Sequence, residues 1–309
     1  MNRGNCRAVL FQAVSRTVSI RTVDERATPE FPHQAIRYMS LDEAALLGFV
    51  QGVTEFLPIS SSGHLVLVPW VLGWPRHGLV FDTALHLGTL VALLAYFWHD
   101  WVELSRAMVA GLANPEARSN PGWRLAWTLV VGNIPAAAAG WLFIDQVETL
   151  FRQPTLVASF LILFGLLLLL SDRLGDKSRE IDGLTFRDAI AIGFAQALSL
   201  MPGVSRSGVT LTAGLLLGLE RAAAARYSFL LSSPLVLGAG LYELSRWGES
   251  GFTPDDLPAF IIGIGVSAVV GYSAIGFLLR YLQRRDVTVF VWYRLLFGVA
   301  ILALQLFRG

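Results

Sequence analysis

Charge is scarce in this chain. Only 15% of its 309 residues are Asp, Glu, Lys or Arg, against about 25% in an ordinary soluble domain. Cysteine is nearly missing, and the single Cys6 excludes an internal disulfide and any metal site built from thiolates. No basic stripe interleaved with aromatics occurs, and the net charge is only +1, so nothing speaks for a nucleic-acid partner. What fills the chain is apolar: 54% of it is hydrophobic. These proportions exclude a soluble globular enzyme and define an all-α polytopic membrane protein.

Six apolar runs reach the roughly 20 residues that a spanning helix requires: Phe81–Trp98, Arg124–Ile144, Pro154–Ser171, Ala223–Leu244, Pro258–Tyr281 and Val287–Phe307. Two further stretches, 43–73 and 186–218, are read as dipping in and returning on the same side. One face then collects twelve basic residues: Arg106, Arg118, Arg124, Arg173, Lys177, Arg179, Arg187, Arg221, Arg226, Arg280, Arg284 and Arg285. The other collects four, Arg76, Arg152, Arg246 and Arg308. The positive-inside rule makes the first face cytoplasmic.

The two dipping stretches share one pattern. Gly48, Phe49, Gln51, Ser60, Ser62 and Gly63 recur as Gly193, Phe194, Gln196, Ser205, Ser207 and Gly208, at a constant offset of 145 residues. Each stretch is apolar, breaks at Pro and Ser/Gly, and resumes as apolar. A broken helix inside a membrane is costly unless its freed backbone groups line a polar cavity, and matched breaks in two halves indicate a binding site at a repeat interface. The expected architecture is an inverted-topology repeat with two re-entrant broken hairpins plus about six transmembrane helices. Residues 39–309 form one membrane domain, with a first repeat at about 43–150 and a second at about 186–309.

The breaks also concentrate chemistry. Glu55, Ser60, Ser61, Ser62 and His64 occupy the first, and Arg206 the second. Ionisable residues at membrane depth are functional candidates by default. The plainer alternative is that the serines cap a half-helix, His64 is an interfacial hydrogen-bonder and Glu55 pairs with Arg206. Helix N-termini expected near Ser62 and Ser207 favour anions, phosphate above all. Arg206 adds a planar fork for phosphate oxygens, while Gly203 and Gly208 permit close backbone approach. A serine beside a histidine offers a nucleophile with its proton acceptor. A carboxylate beside a diphosphate calls for a bridging divalent cation or a proton-carrying role, and oxygen ligation with few protein ligands suits Mg²⁺, with Ca²⁺ as the other candidate.

The segments Gln51-Gly-Val-Thr-Glu55-Phe-Leu-Pro-Ile-Ser-Ser61-Ser-Gly-His64 and Pro202-Gly-Val-Ser-Arg206-Ser-Gly208 resemble the two signatures of the undecaprenyl-diphosphate phosphatase, or bacitracin-resistance, family. The resemblance extends through Phe81–Leu90, Asn133–Pro135, Ser228–Pro234 and Tyr293-Arg294 and covers about residues 40–309. It implies an enzyme of the bacterial cytoplasmic membrane with an outward-facing site. Such an enzyme hydrolyses undecaprenyl diphosphate to undecaprenyl phosphate and phosphate, recycling the carrier for peptidoglycan and other envelope polymers. It further implies Ser61 as nucleophile, His64 as assisting histidine, Arg206 as diphosphate clamp and Glu55 as the acid linked to a divalent metal. Gln51 stands at the family's first acidic position, which weakens a two-carboxylate metal site. Ser60, Ser62, Gly63, Ser205, Ser207 and Gly208 are the expected substrate-binding residues. Membrane lipids and a second copy of the chain are the further partners considered.

An anion or lipid carrier is the competing reading, since broken helices meeting at mid-membrane are also transporter architecture; a nucleophile is what a carrier does not need. His86 and Asp82 share a helix face, either beside the site or as a cross-helix hydrogen bond. The charged stretch Asp172–Asp188 reads as a solvated linker, with Asp182 and Thr185 capping the next helix. Residues 1–38 carry Arg3, Arg7, Arg16, Arg21, Arg26 and Arg37 with no apolar run long enough for a signal peptide. They are read as preceding a true start at Met39, as a disordered extension, or as a targeting segment, the last disfavoured by Asp24, Glu25 and Glu30.

Overall fold

In the computed structural model every long apolar run folds as a helix. The structure describes residues 39–75, 79–245 and 254–308; the readings made for residues 1–38, Arg76 and Arg246 lie outside them. Ser40 opens the first helix through a capping box with Glu43, as Ser-x-x-Glu before an apolar run should. Eleven α-helices follow among the described residues: α1 (Leu41–Phe56), α2 (Ser61–Leu72), α3 (Leu79–Tyr96), α4 (Trp98–Ala113), α5 (Pro121–Leu150), α6 (Pro154–Leu174), α7 (Phe186–Leu198), α8 (Arg206–Leu216), α9 (Arg221–Ser245), α10 (Leu257–Leu282) and α11 (Thr288–Arg308). Proline sits in the first turn of α5, α6 and α10, where its missing N–H costs nothing. Thr185 caps α7, but its partner in the box is Asp188, not Asp182: the reciprocal bond needs a residue three positions on.

Among the described residues, four helices are long and apolar enough to cross a membrane: Pro121–Phe143 of α5, α6, α10 and Thr288–Phe307 of α11. A fifth span results if α3 and α4, bent by 74° at Phe97, count as one. The protein is therefore an all-helical, multi-pass membrane protein. The expected crossing Ala223–Leu244 does fall on a helix of 25 residues, α9. It is not among the helices apolar enough to cross a membrane, since it carries Ser228, Ser232 and Ser233, all buried; the described residues thus hold four or five such spans where about six were expected.

Glycines set the closest helix contacts. A Cβ on Gly48 of α1 would lie 2.6 Å from the carbonyl oxygen of Gly263 on α10, and one on Gly193 of α7 would lie 2.3 Å from that of Gly132 on α5. Small residues permit such approach where no water drives helices together. The two contacts correspond, since Gly48 also faces Val266 where Gly193 faces Pro135, three residues beyond each partner glycine. So α1 leans on a helix late in the chain, and α7 leans in the same way on one from the first half.

One end of the bundle is tied by charge. Arg226 of α9 pairs with Asp100 of α4, and Arg221 holds Asp172 of α6 with two bonds of 2.6 and 3.0 Å. Arg124 of α5 donates to the Asp182 carbonyl, and Arg179 reaches Asp188 of α7 at 2.7 Å and the Leu217 carbonyl after α8. Nearby, the Thr288 N–H bonded to Asp286 holds that carboxyl below its usual range. Every basic residue in this network belongs to the arginine-rich set counted from sequence.

Candidate active site

Two turns meet in the interior. In the first, α1 ends at Phe56 and Ser60 takes φ 76° and ψ 92°; in the second, Ser205 takes φ 72° and ψ 110°. These serines are the caps, so the helices begin one residue earlier than expected, at Ser61 and Arg206. Each cap hydroxyl accepts from the N–H three residues on, Gly63 at 3.3 Å and Gly208 at 3.1 Å. The first intrahelical bonds are His64 N–H to Ser60 and Val209 N–H to Ser205. The N–H groups of Ser61, Ser62, Arg206 and Ser207 therefore stand ahead of them, at the positive ends of two helix dipoles.

The turns are bonded to each other. Gly203 N–H donates to Ser60 Oγ at 3.2 Å, and Ser207 Oγ donates to the Leu57 carbonyl at 3.1 Å. Arg294 of α11, 0% exposed, locks them from behind. Its guanidinium donates to the carbonyls of Pro58 (3.2 Å), Gly203 (3.0 Å) and Val204 (3.0 Å) at the turns, and of Phe160 (3.4 Å) and Leu161 (3.0 Å) on α6. Sequence reasoning gave Arg294 no role. The available signal was an arginine in the middle of the spanning run Val287–Phe307.

Between the turns lies Glu55, its side chain 3% exposed. Oε1 pairs with Arg206, and Oε2 accepts from Ser61 Oγ at 2.5 Å and from Gln51 Nε2 at 3.0 Å. His86 of α3 brings Nε2 to 3.5 Å from the same oxygen while its Nδ1 donates to the Asp82 carbonyl at 2.8 Å. His86 thus lies beside the site, and its bond to Asp82 runs to the main chain. The structure brings Glu55, Ser61, Arg206 and Gln51 into one cluster and seats Ser60, Ser62, Gly63, Ser205, Ser207 and Gly208 in the surrounding turns.

His64 is elsewhere. Its Nδ1 is 2.7 Å from the Ser60 carbonyl, which can only accept, so Nδ1 carries the proton. Nε2 then accepts from Tyr293 O–H at 2.6 Å. The ring stacks on Phe297 at 4.8 Å and Tyr293 at 5.6 Å. Both nitrogens are committed, and the group bonded to the Ser61 hydroxyl is Glu55. The expected serine–histidine pair is thus a serine–glutamate pair in this state, because one helical turn separates Ser60 from His64 and directs the ring back onto the Ser60 carbonyl.

A divalent cation meets a mixed donor set. Among the described residues no three His, Cys, Asp or Glu side chains converge. Gln51 Oε1 is buried without a partner beside Glu55, yet Gln196 Oε1 is orphaned in the same way where Leu200 replaces the acid. One carboxylate and one amide oxygen suit Mg²⁺ that draws its remaining ligands from phosphate and water. They do not suit a site filled by protein alone.

Apolar spans enclosing a buried hydroxyl, carboxylate and guanidinium define a multi-pass membrane protein with a polar reaction centre. Residues 44–300 match the family model of bacitracin resistance protein BacA. The chain is 51% identical over 265 residues to the undecaprenyl-diphosphatase of Geotalea daltonii, covering 84% of this chain and 96% of that protein. It is 50% identical over 271 residues to that of Moorella thermoacetica, with 86% and 98% covered. For the enzyme of Desulforudis audaxviator the identity is 47% over 267 residues, covering 86% and 98%. The chain belongs to the bacitracin resistance protein family.

Proposed function

We propose that the chain hydrolyses undecaprenyl diphosphate to undecaprenyl phosphate and inorganic phosphate, a hydrolase activity that recycles the lipid carrier and underlies bacitracin resistance. One observation carries the mechanism: Ser61 Oγ donates to Glu55 Oε2 at 2.5 Å while Arg206 holds the other oxygen. In phosphoryl transfer, positioning and charge stabilisation dominate. The terminal phosphate takes Arg206 from Glu55 and receives the free N–H groups at the starts of α2 and α8. Ser61 Oγ attacks the terminal phosphorus, its proton passes to Glu55, and the bond to the bridging oxygen breaks, releasing undecaprenyl phosphate. Water then attacks the phosphoserine, Glu55 returns its proton to the Ser61 oxygen as the P–O bond breaks, and one proton of the water leaves with the released phosphate. His64 positions the Ser60 turn. Glu55 and Gln51 would hold Mg²⁺, which when bound neutralises part of the diphosphate charge.

The topology belongs to the same proposal. The hairpins α1–α2 and α7–α8 enter from opposite faces as an inverted repeat, supported by the matched glycine contacts and turns. The arginine-tied end faces the cytoplasm. A small cavity lined by Ser62, Asp82, His86, Arg152 and Pro202 supports opening of the site toward the other, outer side of the bacterial membrane. Phosphate release from undecaprenyl diphosphate by purified protein, with and without EDTA and beside Arg206→Ala, tests the reading. Release that disappears in both is the expected outcome, and no release from well-folded protein overturns it.

A further inference from the structure

A groove of about 450 Å³ runs between α1, the first turn and α11. Its walls include Phe49, Val53, Val68, Val289, Phe290 and Phe297, together with His64 and Tyr293. Phe49 and Val289 are each 52% exposed at its rim, where apolar helices face the bilayer. Three polar side chains border it, and all are satisfied within the protein: Thr54 Oγ1 donates to the Val50 carbonyl at 2.7 Å, and the Tyr293 hydroxyl is spent on His64. His64 itself has both ring nitrogens occupied. Such a surface has no unmet hydrogen bond to hold water and suits hydrocarbon.

The groove adjoins the first turn, with Leu57 and Ile59 among its lining residues. His64 is bonded to the carbonyl of Ser60, and Ser61 is the next residue. A separate, smaller cavity beside Ser62 has Asp82, His86 and Arg152 among its lining residues, and the cation and imidazole suit a phosphate better than the groove does. Building on the hydrolase reading above, we infer that this groove receives the isoprenoid chain of the substrate, with the His64–Tyr293 pair on its wall. The headgroup and the tail then occupy separate cavities. A volume of this size matches a pocket for a drug-sized molecule, so the groove holds the isoprene units nearest the diphosphate and leaves the remainder in the bilayer. Selectivity then reads the first units of the chain and tolerates its length.

The test compares undecaprenyl diphosphate with a single-isoprene diphosphate too short to fill the groove. Val53→Trp and Val289→Trp fill it from opposite walls, and Val269→Trp on α10, a 70% exposed position away from it, is the control. The ratio of kcat/KM for the long over the short substrate falls roughly tenfold or more in both groove variants and stays at the wild-type value in the control. An unchanged ratio in the groove variants, or an equal loss on both substrates, overturns the assignment while wild-type hydrolysis leaves the phosphatase reading standing. Wild-type protein that cleaves neither substrate overturns both. A photoreactive benzoylphenylalanine in place of Phe49 provides a reading that needs no turnover. Labelled undecaprenyl phosphate cross-links there and not at position 269, and failure to cross-link at position 49 counts against the groove.

Discussion

The turn between α1 and α2 and the turn between α7 and α8 have nearly the same backbone and divide the chemistry between them. Ser60 and Ser205 share a left-handed conformation that costs a serine about 1–2 kcal/mol. Both cap the following helix in the same way, and both bring a second serine hydroxyl near the cap, Ser62 at 3.4 Å and Ser207 at 3.3 Å. At the first helical position, however, one turn has Ser61 and the other Arg206, and both side chains reach Glu55. Six residues before that position the first half has Glu55 and the second Leu200; three after it, His64 stands against Val209. The two turns share one geometry and differ at three positions, where the first carries a carboxylate, a hydroxyl and an imidazole and the second a guanidinium between two apolar residues.

The turns also differ in how they are bonded. Pro58 stands where the second half has Gly203. Only Gly203 has an N–H, so Ser60 Oγ accepts a bond across the interface that Pro58 cannot return to Ser205. The second turn leans on the first through this bond.

Breaking the asymmetry at its charged residue has the largest expected effect. Arg206→Ala lowers kcat/KM for undecaprenyl diphosphate about 10²–10³-fold, as loss of one charge-stabilising group does elsewhere, read by steady-state phosphate release. It also leaves Glu55 buried without its partner, a loss of about 3–5 kcal/mol that thermal unfolding in detergent registers. Arg206→Lys restores little, since an ammonium lacks the planar fork. Ser61→Ala removes the nucleophile, and acid-quenched enzyme then shows no phosphoserine where the wild type does. A Ser61→Ala enzyme of normal rate would discard covalent catalysis in favour of direct attack by water.

The matched helix contacts sharpen the comparison at the level of packing. Gly48→Ala and Gly193→Ala each introduce a methyl group against a backbone carbonyl and destabilise by about 1–3 kcal/mol. Gly193 is the more sensitive, its Cβ approach being 2.3 Å against 2.6 Å, and paired melting curves give the order. The smallest difference lies in the caps. Ser60→Gly loses a hydroxyl that accepts from both Gly63 and Gly203, whereas Ser205→Gly loses one that accepts from Gly208. Unfolding free energies of the two variants should therefore differ by about 1 kcal/mol, Ser60→Gly being the weaker.

The sequence revealed the two turns because Pro, Ser and Gly interrupting apolar helices have few other uses in a membrane. It revealed Glu55 and Arg206 because charge at that depth is costly, and even their pairing was anticipated in the plainer reading. What stayed hidden is contact across long separations. His64 and Tyr293 are 229 positions apart and Arg294 and Pro58 are 236 apart, and no periodicity links such residues. His64 was paired with Ser61 by proximity in the chain, yet a helix start turns neighbouring side chains to different sides. Asp182 was a plausible cap by composition, but the cap geometry selected Asp188.

Arg294 has one more consequence. Unwound carbonyls at mid-membrane are where transporters hold a sodium ion, which must leave for the protein to move. Here five main-chain carbonyls solvate a cation that is covalently part of α11. The chain brings its own permanently bound ion, so no change in external salt can unload it. A spin-label pair on α2 and α8 should read the same separation with and without diphosphate and at any sodium concentration. Such a result would mean that the two turns stay joined through Arg294 while phosphate enters and leaves.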